Sequence, residues 1–367
     1  MNSVIVAARR TAVSPRGGAL SALNLHELAA PVVTACLAEC GIDAAQVDEI
    51  IVGNALGAGG NPARVVALAA GLPETVAGLS LDRQCCSGLD ALLLADALIG
   101  SGAAQLVVAG GVESYSQRPQ RFRINPETAL PEAYDQPPFT PWPSRDPDMA
   151  EAADALAVSL GIDAREQDEW AIESHRKARA SSQLLRKEIV PLNGLELDPF
   201  TRGLTPALCR RATRLTGSIT VANTAVAADA SAFCVVVASD LARKLGLPGV
   251  RLCAGRTLGA DPDYPGAAPV AAMKHVLTSA KVSARQLGQA EIMEAYAAQA
   301  ITCTRLTEID PGIVNTGGGA LSRGHPIGAS GAILAVRLFS ELSRTGGFGL
   351  AAIAAAGGLG TALLLEA

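Results

Sequence analysis

Short apolar segments alternate with longer amphipathic segments along most of the chain. Residues 3–11 and 49–56 are short and apolar, as is typical of strands, whereas residues 25–41 have the spacing of a helix that ends at Gly41. Residues 105–114 form another apolar run after a further helical segment. This alternation predicts βαβ units and a mainly parallel sheet. The first part of the chain is therefore expected to be a layered α/β unit.

The same alternation returns in the last third of the chain. It predicts a strand at 251–259, a helix at 269–282 and a helix at 324–342. Residues 345–365 carry no charge, but the glycine pair at 357–358 interrupts this apolar run. We therefore predict two buried strands there, joined by a glycine turn, and a second half similar to the first.

The composition changes between the two halves. Residues 137–148 are rich in proline, and residues 163–189 have the pattern of a charged surface helix. Such a segment is expected to be an insertion carried by the first half, and a lid over a site is a natural use for it. The predicted domains are residues 1–115 with 204–245 as the first half, 116–203 as the insertion and 246–367 as the second half.

Composition narrows the possible functions. The 367 residues have a formal net charge of -5 and only 3% aromatic residues, so they provide neither a basic surface nor stacking side chains for nucleic acid. The first residues do not resemble a secretion signal, so the eight cysteines are expected to be reduced and the protein cytoplasmic. Each cysteine is then either a small core residue or a chemical group.

The first segment with candidate chemistry is DRQCCSGLDA, residues 82–91. It places Cys85 between a predicted strand and the start of a helix, where unpaired backbone N–H groups and the helix dipole favour a thiolate. Cys85 is therefore a candidate nucleophile. From this segment alone, Cys85 and Cys86 are also compatible with small core residues at a helix start.

The second segment is NTGGGALSRGHPIG, residues 315–328. Its glycines let the backbone approach another group closely, and His325 lies beside a helix start. There it could polarise a carbonyl or accept a thiol proton. A histidine that only hydrogen-bonds its own turn is the alternative.

Taken together, these segments resemble the thiolase family. Residues 57–116 resemble a long thiolase block, and residues 217–232, 258–270, 294–299 and 318–332 are similar to further thiolase blocks in the same order. The resemblance covers nearly the whole chain except about 120–145. It implies a five-layer α-β-α-β-α fold of two similar halves, with an inserted loop domain over a coenzyme A site.

The resemblance also implies roles for individual residues. Cys85 takes the place of the acylated nucleophile, and its backbone N–H contributes to an oxyanion hole. His325 takes the place of the histidine that activates the thiol and helps to bind the thioester oxygen. An acyl-CoA is then the substrate, no cofactor is bound permanently, no metal, membrane or nucleic acid is involved, and the protein is a homodimer or larger oligomer.

Several positions depart from the thiolase pattern. Ala354 stands where thiolases carry a second catalytic cysteine in a C-x-G motif, and Ala356, followed by Gly357, stands at the glycine of that motif. Met293 replaces the asparagine of the N-E-A-F block, which orients a water in an oxyanion hole. Ala225 lies near the position of a serine close to the pantetheine. These changes affect the substrate and oxyanion neighbourhood and, at Ala225, the coenzyme A path.

Other cysteines and histidines offer little chemistry. Cys86 and Cys303 are weak candidates for a substitute base. Cys36 and Cys40 lack a second pair with metal-ligand spacing and are expected in the core. The remaining histidines are expected to be surface or capping residues: His26, His175 and His275.

The sequence therefore predicts a thiolase-like acyltransferase that forms an acyl-Cys85 intermediate from an acyl-CoA. Claisen condensation and thiolysis are expected to be weakened, because alanine cannot take the α-proton. Two alternatives remain. One is an ordinary acetyl-CoA C-acetyltransferase with a substitute base, and the other is a catalytically weak homologue that binds a CoA ligand or stabilises a complex.

Overall fold

The computed structural model describes residues 3–57 and 59–367. Met1, Asn2 and Ala58, which fall in the predicted first half and first motif block, lie outside the described residues. The strands are β1 (Ser3–Arg10), β2 (Ser14–Pro15), β3 (Glu49–Gly53), β4 (Ala77–Leu81), β5 (Leu106–Ser114), β6 (Arg121–Ile124), β7 (Pro131–Tyr134), β8 (Arg214–Thr216), β9 (Ile219–Thr220), β10 (Ala228–Ala238), β11 (Val250–Gly259), β12 (Leu287–Ile292), β13 (Phe348–Ala355) and β14 (Leu359–Glu366).

Helices and strands largely alternate in the two halves, as the sequence pattern predicts. The helices are α1 (Leu25–Cys40), α2 (Pro62–Ala69), α3 (Ser87–Gly100), α4 (Met149–Ser159), α5 (Ala164–Ala180), α6 (Ser182–Arg186), α7 (Pro206–Arg210), α8 (Ser239–Leu245), α9 (Pro269–Ala280), α10 (Ala297–Leu306), α11 (Ala320–Arg323) and α12 (Ile327–Thr345). Between β7 and β8, however, α4, α5, α6 and α7 follow one another.

One large sheet contains two repeats of the same strand arrangement. Its order is β12-β13-β14-β11-β1-β10-β5-β3-β4. In the first half β3 is parallel to β5, β5 is antiparallel to β10, and β10 is antiparallel to β1. The second half repeats these relations in β12, β13, β14 and β11. The halves join where β1 pairs with β11. This repetition confirms the prediction of two similar halves. The prediction of a mainly parallel sheet is wrong, because most neighbouring strands pair antiparallel. β14, for example, follows β13 through a tight turn, without the crossover helix that a parallel pair needs.

Helices lie on both faces of each half. Alternate residues of β5 point to different layers: Leu106 and Val108 pack with α1 and α2, whereas Val107 and Ala109 pack with α3 and α12. In the second half, α9 and α10 cover the outer face of β12, β13 and β14, while α3 and α12 also pack on the inner face. The two halves of the hydrogen-bonded sheet thus form separate layers. The order is helix, half-sheet, helix, half-sheet, helix, which confirms the five-layer prediction.

Glycines bring the two central helices into close contact. A Cβ atom at Gly88 in α3 would lie 2.7 Å from the backbone nitrogen of Ala332 in α12. A Cβ atom at Gly328 would lie 2.7 Å from the Cα atom of Asn54. These approaches require residues without side chains. As a result, the amino-terminal ends of α3 and α12 lie side by side in the central layer.

The predicted insertion contains a hairpin of β6 with β7 and the helices α4, α5 and α6. The single helix predicted over residues 163–189 is wrong in part, because α5 ends at Ala180 and α6 begins at Ser182. The prediction that His175 is a surface or capping residue is also wrong. His175 is buried, and its Nδ1 atom accepts a hydrogen bond from the backbone N–H of Arg202 at 3.3 Å. One face of α5 therefore faces the interior.

The uncharged carboxyl-terminal run forms β13 and β14, which pair antiparallel around a turn. Gly357 and Gly358 in this turn have φ angles of 76° and 77°, which favour glycine. Throughout residues 3–57 and 59–367, every helix is too short or too polar to cross a membrane. The prediction of two buried strands is confirmed.

Candidate active site

A tight turn presents Cys85 at the start of α3. Residues Gln84–Cys86 form one turn of 3-10 helix, and Gln84 has a φ angle of 47°, which is uncommon for a residue with a side chain. The Ser87 hydroxyl accepts a hydrogen bond from Arg83 N–H at 2.7 Å and donates one to the Gln84 carbonyl at 2.6 Å. Ser87 therefore holds the turn that carries Cys85.

His325 reaches Cys85 from the other half of the chain. Its backbone N–H donates to the Val226 carbonyl at 2.8 Å, which fixes the extended segment before α12. Its Nε2 atom lies 3.2 Å from Cys85 Sγ. The helix predicted over residues 324–342 begins later, at Ile327, because His325 and Pro326 belong to this extended segment. The two residues that the motifs single out thus meet, 240 positions apart.

Ser330 determines which ring nitrogen of His325 carries the proton. Its Oγ atom lies 2.6 Å from His325 Nδ1 and donates its own hydrogen to the Pro326 carbonyl at 2.9 Å. Because the hydroxyl has one hydrogen, it accepts a hydrogen bond from Nδ1–H. Nε2 then carries no hydrogen, so it accepts a hydrogen bond from the Cys85 thiol.

Burial keeps both members of this pair neutral. It raises the pKa of Cys85 to about 12, and the carboxylates of Glu113 and Asp82 add to this rise. Burial also lowers the pKa of His325 to about 4. The expectation that the helix start favours a thiolate is wrong for the resting protein, because desolvation outweighs the helix terminus. The resting pair is a thiol and an uncharged imidazole.

A cavity of about 500 Å³ opens on this pair. Ala354, at the end of β13, and Ala356, in the following turn, line it together with Cys85 and His325. Neither alanine can exchange a proton. The cavity therefore has a nucleophile and a base on its wall, and methyl groups at the two C-x-G positions.

Of the other predicted site residues, Ala225 lines the cavity, whereas Met293 lies in the core and Gly357 in a turn. Met293 is buried in the central core with α3 and α12 and does not line the cavity. Gly357 belongs to the turn after β13, where a Cβ atom would lie 2.9 Å from the Phe139 carbonyl oxygen. Gly357 therefore fits the inserted segment closely against the turn.

The two candidate substitute bases are away from the cavity wall. The Sγ atom of Cys86 is buried and lies 3.6 Å from the Ile353 carbonyl oxygen. The Sγ atom of Cys303 is buried 3.6 Å from the Gly266 carbonyl oxygen, and burial raises its pKa to about 12. Both thiols are core groups.

Glu113 is a supporting residue that the sequence analysis missed. Its buried carboxylate accepts hydrogen bonds from the backbone N–H groups of Gly328 at 2.9 Å and Ala55 at 3.0 Å, and from Asn54 Nδ2 at 2.7 Å. It therefore ties the start of α12 to the loop after β3. Burial raises its pKa to about 7. An acidic residue at the end of the apolar run in β5 was the available signal.

Glu294 is a second supporting residue that the sequence analysis did not single out. Its buried carboxylate accepts hydrogen bonds from Trp170 Nε1 at 3.0 Å, Ser174 Oγ at 2.7 Å and Asn315 Nδ2 at 2.7 Å. Trp170 and Ser174 lie on α5, so Glu294 anchors the inserted helix to the site. The polar and aromatic residues on the inner face of α5 were the missed signal.

Two tyrosine hydroxyls complete the wall. Tyr115 follows β5, Tyr296 precedes α10, and both side chains line the cavity with Cys85. Burial raises the pKa of each phenol above its usual value. Both phenols are therefore protonated hydrogen-bond donors and poor bases near neutral pH.

Comparisons with known proteins identify this arrangement. Residues 3–240 match the thiolase N-terminal domain, and residues 248–367 match the thiolase C-terminal domain. The chain is 40% identical over 377 residues to "Putative acetyl-CoA C-acetyltransferase YhfS" of Bacillus subtilis (strain 168), covering 100% of this chain and 99% of that protein. It is 34% identical to "Putative acetyl-CoA C-acetyltransferase VraB" of Staphylococcus aureus (strain MRSA252), covering 99% and 98%.

A solved structure also matches over the whole chain. The crystal structure of the Bacillus anthracis acetyl-CoA acetyltransferase has a TM-score of 0.93 to this protein and 32% sequence identity, covering 100% of this chain and 98% of that one. The five-layer fold, the two matched domains and the relatives agree with the motif resemblance. The chain therefore belongs to the thiolase family of acyl-CoA-dependent acyltransferases.

Proposed function

We propose that this protein transfers an acyl group from an acyl-CoA onto Cys85 and releases it mainly to water or to an oxygen, nitrogen or sulfur acceptor. The observation that carries the proposal is the Cys85 Sγ to His325 Nε2 contact of 3.2 Å in a cavity that Ala354 also lines. The pair can perform acylation. Ala354 stands where thiolases carry the cysteine that takes the α-proton, so condensation has no base at this position.

The acylation step follows from the neutral pair. The Cys85 thiol proton moves to His325 Nε2 as Sγ attacks the thioester carbonyl carbon. The bond between that carbon and the CoA sulfur then breaks, and the proton on Nε2 passes to the departing CoA thiolate. Ser330 keeps Nδ1 protonated throughout, which leaves Nε2 as the atom that accepts and returns the proton. The Cys85 backbone N–H is proposed to bind the carbonyl oxygen during attack.

Intact-mass measurement tests this step. Incubation with acetyl-CoA should add one acyl group, and Cys85→Ser should abolish the adduct. Cys86→Ser is the matched control, because its thiol is buried beside the same turn but faces the core. An adduct that persists in Cys85→Ser and disappears in Cys86→Ser or Cys303→Ser would contradict the assignment.

The names of the relatives favour a second candidate, an ordinary acetyl-CoA C-acetyltransferase. This function requires a group other than Ala354 to take the α-proton. Thiolysis of acetoacetyl-CoA, measured beside thioester hydrolysis, separates the two candidates. Thiolysis much faster than hydrolysis would favour the second candidate, whereas an absence of both reactions and of the adduct would favour a weak homologue that only binds its ligand.

A further inference from the structure

Three arginines lie where the site cavity meets a second cavity of about 450 Å³. Arg16 follows β2, Arg118 follows β5, and Arg121 begins β6. These three residues, here called the arginine cluster, line both cavities together with Tyr115. The cavity that Cys85 opens into therefore continues into a space with guanidinium groups on its wall.

Two of these guanidinium groups are held in place by the protein. Arg121 Nη2 donates to the Ala55 carbonyl at 3.2 Å, and Arg121 Nη1 donates to the Asp135 carbonyl at 3.5 Å. The guanidinium carbon of Arg118 lies 5.7 Å from the centroid of the Tyr115 ring. Both arginines are half-buried. Because an arginine has five N–H donors, each of them keeps donors for a further acceptor.

The positive charge of the arginine cluster is only partly neutralised. Asp135 pairs with Arg118 at 2.6 Å, and it is the single carboxylate on the second cavity's wall in the described part of the chain. Within the same residues, Arg16 and Arg121 form no ion pair. The second cavity therefore has two positive charges without a counterion from the protein.

The other carboxylates of the site cavity do not supply this counterion. Asp82 accepts a hydrogen bond from the backbone N–H of Gln84 at 2.9 Å. Asp148 caps α4, where it accepts a hydrogen bond from the backbone N–H of Ala150 at 2.8 Å. Both carboxylates line the first cavity but not the second. An anionic ligand is therefore the natural partner of Arg16 and Arg121.

The position of the cluster narrows the kind of anion. Tyr115 lines the cavity with Cys85, and Arg118 lies over the Tyr115 ring, so the cluster is close to the reacting thiol. The phosphates of coenzyme A are separated from its sulfur by the whole pantetheine arm. An acyl chain, in contrast, begins at the carbon that Cys85 attacks. A carboxylate also matches a guanidinium group through two parallel hydrogen bonds.

Resting on the proposed function, we propose that this site selects acyl-CoA thioesters whose short acyl chain ends in a second carboxylate, bound by Arg16 and Arg121. Hydrogen bonds between charged groups stabilise a complex more than bonds between neutral groups do. A methyl group at the end of the chain cannot form them. Arg16 and Arg121 are specificity residues in this proposal, and Cys85 and His325 act on the thioester of the same molecule.

Binding to the Cys85→Ser variant tests this inference without requiring turnover. Calorimetry should give glutaryl-CoA an affinity roughly tenfold or more above that of pentanoyl-CoA, which has the same number of acyl carbons. Adipyl-CoA and hexanoyl-CoA repeat the comparison with one more carbon. Arg121→Gln in the same background should remove most of the preference and leave the affinity for pentanoyl-CoA unchanged. Arg16→Gln gives a second variant if Arg121→Gln does not fold.

Arg123→Gln is the matched control. Its side chain lies on the same strand, pairs with Glu132 at 3.2 Å and lines neither cavity. The substitution removes the same charge, and the preference for the dicarboxylic thioester should remain.

Two results would overturn the inference. Equal affinities within both pairs of thioesters would show that the arginine cluster does not read the acyl chain. An Arg121→Gln variant that weakens free coenzyme A as much as glutaryl-CoA would show that the cluster binds the phosphates of coenzyme A instead. Failure of the proposed function is distinguishable, because it appears as a missing Cys85 adduct in the intact-mass experiment, whichever thioester binds more tightly.

Discussion

At the residue scale, the chemistry depends on a thiol and an imidazole that are both uncharged at rest. The 3.2 Å contact and the Ser330 hydrogen bond place the proton on Cys85 and leave Nε2 ready to accept it. A thiolate stabilised by a helix start would be a different resting state. The sequence motif alone does not distinguish this thiolate from a neutral thiol–imidazole pair. The amount of burial around Cys85 decides between them.

This charge state predicts an unusual pH profile for acylation. With the pKa of His325 near 4 and that of Cys85 near 12, neither group changes its charge between about pH 5 and pH 9. The rate of adduct formation, followed by quenched-flow mass spectrometry, should therefore be nearly constant over this range. Glu113 titrates near pH 7 and its charge acts on Cys85, so the profile is also measured in Glu113→Gln. A limb with an apparent pKa of 6 to 7 that persists in this variant would indicate a titrating imidazole or an ion pair.

Ala354 provides the second test at this scale. Ala354→Cys should raise acetoacetyl-CoA thiolysis by about 10² relative to the parent, because it restores a group that can exchange the α-proton. Met293→Asn is the contrasting variant. It places an amide in the central core rather than on the cavity wall, so it should destabilise the protein without a comparable gain.

An unchanged thiolysis rate in Ala354→Cys would have one of two meanings. If the parent is already fast, another residue supplies the proton transfer. If both proteins are slow while the Cys85 adduct forms, the loss of condensation has a cause besides this side chain. Thermal denaturation of each variant separates both outcomes from simple unfolding.

At the element scale, the start of α12 depends on Glu113. This buried carboxyl accepts hydrogen bonds from Gly328 in α12 and from Ala55 after β3, so it connects the helix that follows His325 to the first half. The element boundaries near it show what the sequence pattern could supply. Apolar spacing predicts α12 from residue 324, but the helix begins at Ile327, because His325 N–H is bonded to the Val226 carbonyl and Pro326 follows. The spacing cannot report a contact between residues this far apart.

Glu113 also predicts how stability varies with pH. Its folded-state pKa of about 7 lies above the ordinary 4.5, so between these values the folded state binds more protons than the unfolded state. The contribution of Glu113 to the free energy of unfolding therefore falls as pH rises from about 4.5 to 7. In Glu113→Gln this contribution is absent. The difference in free energy of unfolding between the parent and Glu113→Gln should therefore change by about 3 kcal/mol between pH 4.5 and pH 7.

Urea denaturation at pH 5 and pH 8 measures this effect. Glu127→Gln removes the same formal charge from an exposed side chain between β6 and β7, and it should leave the pH dependence of stability unchanged. Curves for Glu113→Gln and the parent that run parallel across the window would contradict the buried-carboxyl assignment.

At the scale of the whole molecule, the fold follows from features that the sequence carries locally, whereas the site depends on how the halves meet. Period-two and helical patterns predict the strands and helices, and the motif blocks predict which residues bear the chemistry. Ser330 acts through one ring nitrogen of His325. Glu113 acts through backbone N–H groups of residues far along the chain. No local pattern around either residue reports such a contact.

The close approach of the central helices provides a test at this scale. Gly88→Ala should lower the free energy of unfolding by about 1–3 kcal/mol, because the added methyl group meets the Ala332 backbone, which cannot move aside freely. It should also slow Cys85 acylation, since separating α3 from α12 moves the Cys85 thiol away from His325. Chemical denaturation and intact-mass kinetics measure the two effects.

Gly100→Ala is the matched control on the same helix. Among the described residues, a Cβ atom there meets nothing within 4 Å, so the change should be neutral or stabilising by about 0.5–1 kcal/mol. Equal destabilisation by the two substitutions would contradict the prediction, because only the methyl group at position 88 would meet α12.

The repeated strand order has a consequence for how many reaction centres the chain can have. α3 and α12 hold equivalent places in the two repeats, and each is preceded by one reactive residue, Cys85 in one case and His325 in the other. A pseudo-twofold axis thus relates the nucleophile's position to that of its base. Strict symmetry would place a thiol opposite a thiol or an imidazole opposite an imidazole. Catalysis here depends on the two repeats having become unlike, and one chain consequently forms one centre.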